Sequence, residues 1–125
     1  MIYGVGTDLV MIKRMELSLA RFGEHFADRL LAQSEHGDFF ASRNPARFLS
    51  KRFAAKEALA KATGTGLRHP VGLRSIAIVH TPLGRPEFVF SAELDAWLKA
   101  RGIHHAHLSI SDEQHYALAY VILEH

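Results

Sequence analysis

Asn44-Pro45-Ala46-Arg47-Phe48-Leu49-Ser50-Lys51-Arg52-Phe53-Ala54-Ala55-Lys56-Glu57-Ala58-Leu59-Ala60-Lys61-Ala62-Thr63-Gly64 is the stretch on which the fold turns. It reads as one helix from about Ala46 to Thr63, with Asn44 suited to the N-cap, Pro45 to the first helical position, and Gly64 and Gly66 to the stop. At about 100° per residue, Phe48, Leu49, Phe53, Leu59 and Ala60 form one apolar face. Ala54, Ala55, Ala58 and Ala62 form a second, small enough for another element to come close. A helix apolar on two sides is buried round most of its circumference. Two narrow polar strips remain, Ser50, Glu57 and Lys61 on one and Arg52 and Lys56 on the other. Glu57 and Lys61, four apart, are expected to face each other. Charges enclosed in this way are costly unless they pair, bind a metal or line a pocket, although the same spacing also suits an ordinary exposed salt bridge.

Outward from this helix, Ile2 to Val10 reads as a strand interrupted by Gly4 and Gly6. Asp8 is a lone carboxylate in that apolar run, placed either to cap the following helix or to serve a site. Met11 to Ser42 is helical in short pieces, with Leu17, Ala20, Phe22, Phe26, Leu30, Leu31, Phe39 and Phe40 as expected core and Ser34-Glu35 as an expected helix start. Beyond Gly66, strands are expected at Arg74–His80 and Glu87–Phe90, joined by the turn-rich Thr81-Pro82-Leu83-Gly84-Arg85-Pro86. An amphipathic helix at Ser91–Arg101 follows, then His107–Asp112 and His115–Leu123 as a hairpin around Glu113-Gln114. Helices early and antiparallel strands late argue for α+β, an antiparallel sheet packed on a long buried helix, in a single domain over 1–125.

Composition narrows the function. With 48% hydrophobic and 22% charged residues, the 125-residue chain is neither disordered nor fibrous. No apolar run approaches the roughly 20 residues that span a bilayer, and Met1–Arg14 lacks the pattern of a signal peptide, so no membrane partner is expected. Without cysteine there is no disulfide framework, thiol nucleophile or zinc-thiolate site, and a cytoplasmic location is expected. Residues 1–74 carry 12 Lys/Arg against 7 Asp/Glu (+5), while residues 75–125 carry 3 against 6 (−3). The first half therefore suits an anionic partner or is simply a solvated basic surface. GxxxxGK[ST], GxGxxG and GxSxG are missing, which removes the P-loop, the Rossmann site and the serine-hydrolase elbow. His104, His105 and His107 fit no zinc spacing and read as solvated imidazoles at a strand entry.

Two carboxylates held by a strand and a buried helix, Asp8 and Glu57, with Lys and Arg nearby, are what Mg²⁺ on a pyrophosphate needs. The ion takes hard oxygen ligands, and the bases neutralise the remaining phosphate charge. Gly64-Thr65-Gly66, just past the helix, would let backbone approach a nucleotide, or is an ordinary C-cap.

These residues resemble the holo-acyl-carrier-protein synthase family of 4′-phosphopantetheinyl transferases. Gly4-Val5-Gly6-Thr7-Asp8-Leu9-Val10 with Ile12 and Arg14 is similar to the family's first signature. Phe53-Ala54-Ala55-Lys56-Glu57-Ala58 with Lys61-Ala62-Thr63-Gly64-Thr65-Gly66 is similar to its more specific second one. Gly84-Arg85-Pro86 and the closing strands fit as well, so the resemblance covers essentially the whole chain. It implies the 4′-phosphopantetheinyl transferase fold and transfer of the 4′-phosphopantetheine arm of coenzyme A to a serine of apo-acyl carrier protein, in support of fatty acid biosynthesis, with adenosine 3′,5′-bisphosphate as the other product. By that resemblance Asp8 and Glu57 hold Mg²⁺, Glu57 and Lys61 are catalytic, and Lys61, Arg52, Gly64, Thr65, Gly66 and Pro86 bind substrate. Arg14 and Arg21 would meet the acidic carrier protein, and the implied assembly is a homotrimer. Two positions depart from the pattern: Met11 stands where many relatives carry Glu, and Asp112 where many carry His.

Two rivals remain on the residues alone. A nucleic-acid-binding module would use Arg43–Arg68 as a continuous exposed basic face, although Phe48, Phe53 and the alanines interrupt it, so no nucleic-acid partner is expected. A metal-dependent nucleotide hydrolase would use the same carboxylates with no protein acceptor.

Overall fold

A computed structural model describes Met1–His125. The elements run β1 (Ile2–Met11), α1 (Ile12–Phe22), α2 (Glu24–Leu30), a 3₁₀ turn (Gln33–Glu35), α3 (His36–Ala41), α4 (Pro45–Thr63), β2 (Ile76–His80), β3 (Pro86–Phe90), α5 (Ala92–Ala100), β4 (His105–Asp112) and β5 (Tyr116–Glu124). The strands form two antiparallel sheets, one in the order β1-β5-β4 and the other a β2-β3 ribbon.

Helix α4 is the axis of the core and is held as its sequence dictates. Asn44 Oδ1 accepts from the Arg47 amide at 3.1 Å, and Gly64 closes the helix at φ 85 in the left-handed region, where a side chain is strained. Leu49, Ala54, Ala55, Ala58, Leu59 and Ala60 are fully buried, so both apolar faces are covered. The three-stranded sheet lies on the alanine face, with Ala117, Ala119, Val121 and Leu123 of β5 turned inward.

The glycines of β1 set how close sheet and helix come. A Cβ on Gly4 would stand 1.9 Å from the Ala62 carbonyl oxygen, and one on Gly6 would stand 1.9 Å from that of Ala58. Gly4 and Gly6 are therefore contact points, and β1 runs on to Met11, its pairing with β5 shifting register between Ile2 and Gly4 and regular beyond. Asp8 shares their face of the strand by the two-residue alternation.

Several expectations change. Leu17, Phe22 and Phe40, expected in the core, are more than half exposed. α1, α2 and α3 are short, and single faces of Ile12, Met15, Ala27, Leu30 and Phe39 suffice to seat them. Ser34 does not start a helix by capping: Glu35 folds back, its Oε1 accepting from the Ala32 amide at 2.9 Å. Asp8 caps nothing, since α1 begins after Met11 with no side-chain cap. On α5 Ser91 lies just outside the helix as its cap, Oγ accepting from the Leu94 amide at 3.2 Å. No helix is long and apolar enough to cross a membrane.

Candidate functional site

The close approach of β1 to α4 brings Asp8, Glu57 and Lys61 together. Lys61 Nζ donates to the Thr7 carbonyl at 2.9 Å and to Asp8 Oδ1 at 3.1 Å. This corrects the expected pairing along the helix. Lys61 reaches across to β1 instead of back to Glu57, because the glycine contacts place a carbonyl and a carboxylate within its span. Two of the three ammonium hydrogens are spent there, which leaves one free. Glu57, half-buried, is pushed up from the ordinary carboxylate range by desolvation first and by the Asp8 charge second, with Lys61 pulling the other way. Two neighbouring carboxylates, one with its charge disfavoured, form a site that gains from a cation.

The other polar strip of α4 has a different fate. Arg52 and Lys56 turn into the protein and meet Glu35, which is 1% exposed. Lys56 Nζ donates to Glu35 Oε1 at 2.5 Å and to the carbonyls of Leu30 (2.7 Å) and Leu73 (2.9 Å). Arg52 Nη1 donates to Glu35 Oε2 at 2.6 Å and to the Ile78 carbonyl at 2.7 Å. Burial alone would raise the Glu35 pKa, but Lys56 and Arg52 outweigh it and hold the carboxyl below its usual range. Sequence reasoning missed Glu35: an acid in a polar turn carries no signal that two bases seventeen and twenty-one residues on will enclose it.

Arg52 also borders a cleft of ≈ 380 Å³ with Phe48, Lys51, His80, Gly84, Pro86 and Asp112. Arg52 and Pro86, named separately from the sequence, thus lie in one place. His80 is a lining residue the sequence did not suggest, and its pKa is depressed by desolvation and by the Arg52 and Lys51 charges. Asp112 is tied down, accepting from Arg47 Nη1 at 2.7 Å, and the same guanidinium bonds the Glu113 carbonyl at 2.7 Å and that of Gln114 at 3.3 Å.

Gly64-Thr65-Gly66 is a finished C-cap. The Gly64 amide bonds the Lys61 carbonyl, the Gly66 amide that of Ala60, and the Thr65 amide Thr63 Oγ1. All three amides are spent, and the Thr65 hydroxyl is engaged with Thr63 Oγ1 at 2.9 Å and the Gly66 carbonyl at 3.0 Å, so the loop offers a ligand its shape, not a nest of free donors. Arg14 and Arg21 are exposed on α1, with the exposed Leu17 between them on the same helix face. Met11 points away from Asp8, on the outer face of the sheet opposite Tyr116.

The predicted residues therefore fall into separate groups. Five positions separate Arg52 from Glu57, which is about 140° round the helix, so the cleft and the carboxylates open on different sides of α4. The basic run is not one surface either, since Arg52 and Lys56 are buried and Arg47 and Lys61 are engaged.

Comparison with known proteins supplies the family. Residues 4–121 match the 4′-phosphopantetheinyl transferase superfamily. The chain is 54% identical over 124 residues, 99% of it and 95% of the relative, to a holo-[acyl-carrier-protein] synthase of Thiobacillus denitrificans. A crystal structure of holo-[acyl-carrier-protein] synthase from Neisseria meningitidis superimposes with a TM-score of 0.97 at 47% identity, covering 100% of both chains. A holo-(acyl-carrier-protein) synthase from Bacillus anthracis, solved in complex with coenzyme A (3′,5′-ADP), does so with a TM-score of 0.82 at 33% identity, covering 98% of this chain and 96% of that one. With signatures on β1 and α4, a strand-to-helix contact that joins them, and relatives that match end to end, the chain belongs to the 4′-phosphopantetheinyl transferase superfamily.

Proposed function

We propose that the chain, acting as a single domain in the cytoplasm, transfers the 4′-phosphopantetheine arm of coenzyme A to a serine hydroxyl of apo-acyl carrier protein. Adenosine 3′,5′-bisphosphate is released, and the holo-carrier serves fatty acid biosynthesis. The observation that carries this reading is the meeting of Asp8, Glu57 and Lys61 across the glycine contacts of β1 and α4.

The donor chemistry suits Mg²⁺: two hard carboxylates, one disfavoured as a free anion, to which water and substrate oxygens would add the remaining ligands. Asp8 and Glu57 would hold the ion, which when bound polarises the attacked phosphate and offsets charge on the leaving bisphosphate. Lys61 keeps Asp8 oriented and aims its remaining hydrogen at the leaving phosphate. Glu57, whose raised pKa brings it nearer to a working proton acceptor, takes the serine proton directly or through a water. Arg52 and Pro86 receive the nucleotide end of coenzyme A in their cleft, and Gly64-Thr65-Gly66 lies against the substrate by shape. Arg14, Leu17 and Arg21 form a stripe of two cations about an apolar residue, suited to an acidic amphipathic helix of the carrier.

The working form is a homotrimer. The outer face of the β1-β5-β4 sheet exposes Val5, Leu9, Met11, Tyr116, Leu118 and Tyr120, and Leu9 pairs with Leu118 and Met11 with Tyr116 in register. A contiguous apolar sheet face of this kind suits burial against another copy. A second copy also answers the division of the site, setting the carboxylates of one chain beside the cleft of the next.

Mass spectrometry of apo-acyl carrier protein incubated with the protein, Mg²⁺ and coenzyme A tests the reading: the carrier must gain the mass of one phosphopantetheine arm. Bisphosphate released without carrier would instead indicate a nucleotide hydrolase.

A further inference from the structure

We propose that Glu35 is a positioning residue: by locking the Arg52 guanidinium it turns that side chain's unspent Nη2 edge into the Lys51/His80/Pro86 cleft, and so sets affinity for the nucleotide end of coenzyme A. The proposal rests on the transferase reading above. A carboxylate offers about four acceptor positions, and those of Glu35 are filled. Oε1 accepts from the Ala32 amide (2.9 Å) and Lys56 Nζ (2.5 Å), and Oε2 accepts from Arg52 Nη1 (2.6 Å) and the Ile78 amide (3.2 Å). The donors come from the 3₁₀ region, α4 and β2, so the carboxylate cannot rotate without breaking contacts to three elements.

The consequence falls on Arg52. Both hydrogens of Nη1 are used, one on Glu35 and one on the Ile78 carbonyl. The guanidinium is planar, so fixing Nη1 fixes the plane, and the Phe48 ring, 4.5 Å from the guanidinium carbon, supports its face. Nε–H and the two Nη2 hydrogens remain, and Nη2 is the terminal donor edge. It lies 3.9 Å from Asp38 Oδ2, and Asp38 is 73% exposed on its side chain and free to swing aside. Lys51 and His80 share the cleft, and Phe48, Pro86 and Ile110 give it apolar walls. A phosphate-bearing nucleotide thus meets a preset two-hydrogen donor instead of a flexible side chain that must be ordered on binding. Lys56 has a different part: its three hydrogens are all spent inside the protein, so it is Glu35's counterion and touches no ligand.

The test must separate clamping from mere stability. Glu35→Gln alone strands the buried Lys56 charge and can fail to fold, so the double variant E35Q/K56M is measured against K56M. Expected is a rise in KM for coenzyme A of about tenfold, the scale of one charge-assisted hydrogen-bond pair, with KM for apo-carrier and kcat within about threefold. Binding of adenosine 3′,5′-bisphosphate weakens by the same factor. Adding Arg52→Ala to the double variant costs less than a further threefold or so, because its contribution is already gone. If E35Q/K56M does not fold, Arg52→Lys decides: the ammonium keeps the charge near Glu35 but has no second edge, so KM for coenzyme A must rise while KM for carrier holds. A wild-type KM for coenzyme A in R52K, an equal rise in both KM values, or a full additional loss on adding R52A overturns the proposal. Should the wild-type protein modify no carrier, the transferase reading fails, and the clamp is still read from bisphosphate binding.

Discussion

Gly6→Ala puts the geometry of the carboxylate site to its most direct test. The new Cβ would lie 1.9 Å from the Ala58 carbonyl oxygen and 2.8 Å from the Ala62 amide nitrogen, where ordinary contact starts at 3.4 Å. Both obstacles are backbone in the last two turns of α4, held by the helix's own hydrogen bonds, and neither can rotate away. Strand and helix must part by about 1.5 Å, or tilt by as much, on the same contact distances. Overpacking against fixed backbone costs roughly 1–3 kcal/mol, and loosening the alanine face costs more on top. Against a stability of about 5–15 kcal/mol the protein still folds. Asp8, two residues along β1, moves with the strand. The 3.1 Å contact to Lys61 opens, and carboxylate oxygens that must both lie about 2.1 Å from one small cation no longer share it. Misplacement on this scale lowers turnover by roughly a hundredfold. Urea unfolding and carrier modification followed by mass spectrometry measure the two effects. Gly37→Ala is the control: within α3, with no heavy atom within 4 Å of its added Cβ, it leaves stability unchanged or raises it by up to about 1 kcal/mol. Wild-type turnover and stability in G6A would refute the packing argument and the site built on it.

Four further outcomes follow from the same geometry. Because Glu57 has a raised pKa in the fold, its contribution to stability is greatest below pH 4.5 and declines as pH climbs through the raised value, so Glu57→Gln should lift the metal-free melting temperature at pH 7 while abolishing transfer. By the same sign, the Mg²⁺ concentration needed for half-maximal rate should increase on acidification before an ordinary carboxylate would titrate, and EDTA should stop the reaction until Mg²⁺ is restored. Arg14→Glu should raise KM for the carrier more than for coenzyme A, with a salt dependence weaker than wild type, as steady-state kinetics at two ionic strengths will show. Leu118→Lys, on the outer sheet face, should shift the protein to smaller species by light scattering and lower activity with them, while α4 packing and far-ultraviolet circular dichroism stay unchanged.

What the sequence made legible was local. The α4 ends and the β4–β5 hairpin are each decided within a few residues, by Asn44 and Gly64 and by the alternation of 105–112 and 116–124. The carboxylates could be paired from motif resemblance, but the ion partner of Lys61 could not. Spacing on a helix favours Glu57, and only the strand crossing at Gly4 and Gly6 makes Asp8 the nearer anion. Glu35 was illegible for the same reason, because its partners are distant in sequence and its neighbours polar. Leu17 and Phe22 misled in the opposite direction: apolarity at helical spacing was read as core, although beside Arg14 and Arg21 it stands on the exposed face of α1.

The two polar strips of α4 explain why such a small enzyme would work as an assembly. In the proposed mechanism Glu57 and Lys61 would serve the reacting phosphates on one side of the helix, and Arg52, locked by Glu35, would face the nucleotide in the cleft on another. A ligand that needs both cannot wrap a helix whose remaining circumference is sealed by Leu49, Ala54, Ala58 and Leu59. Packing copies through the Leu9/Leu118 face would solve the problem without a larger fold, since the apolar surface exposed on one chain would supply the drive and the neighbour the missing wall. In the proposed assembly, catalysis and association are then one equilibrium, and specific activity must fall on dilution in step with the loss of the trimer.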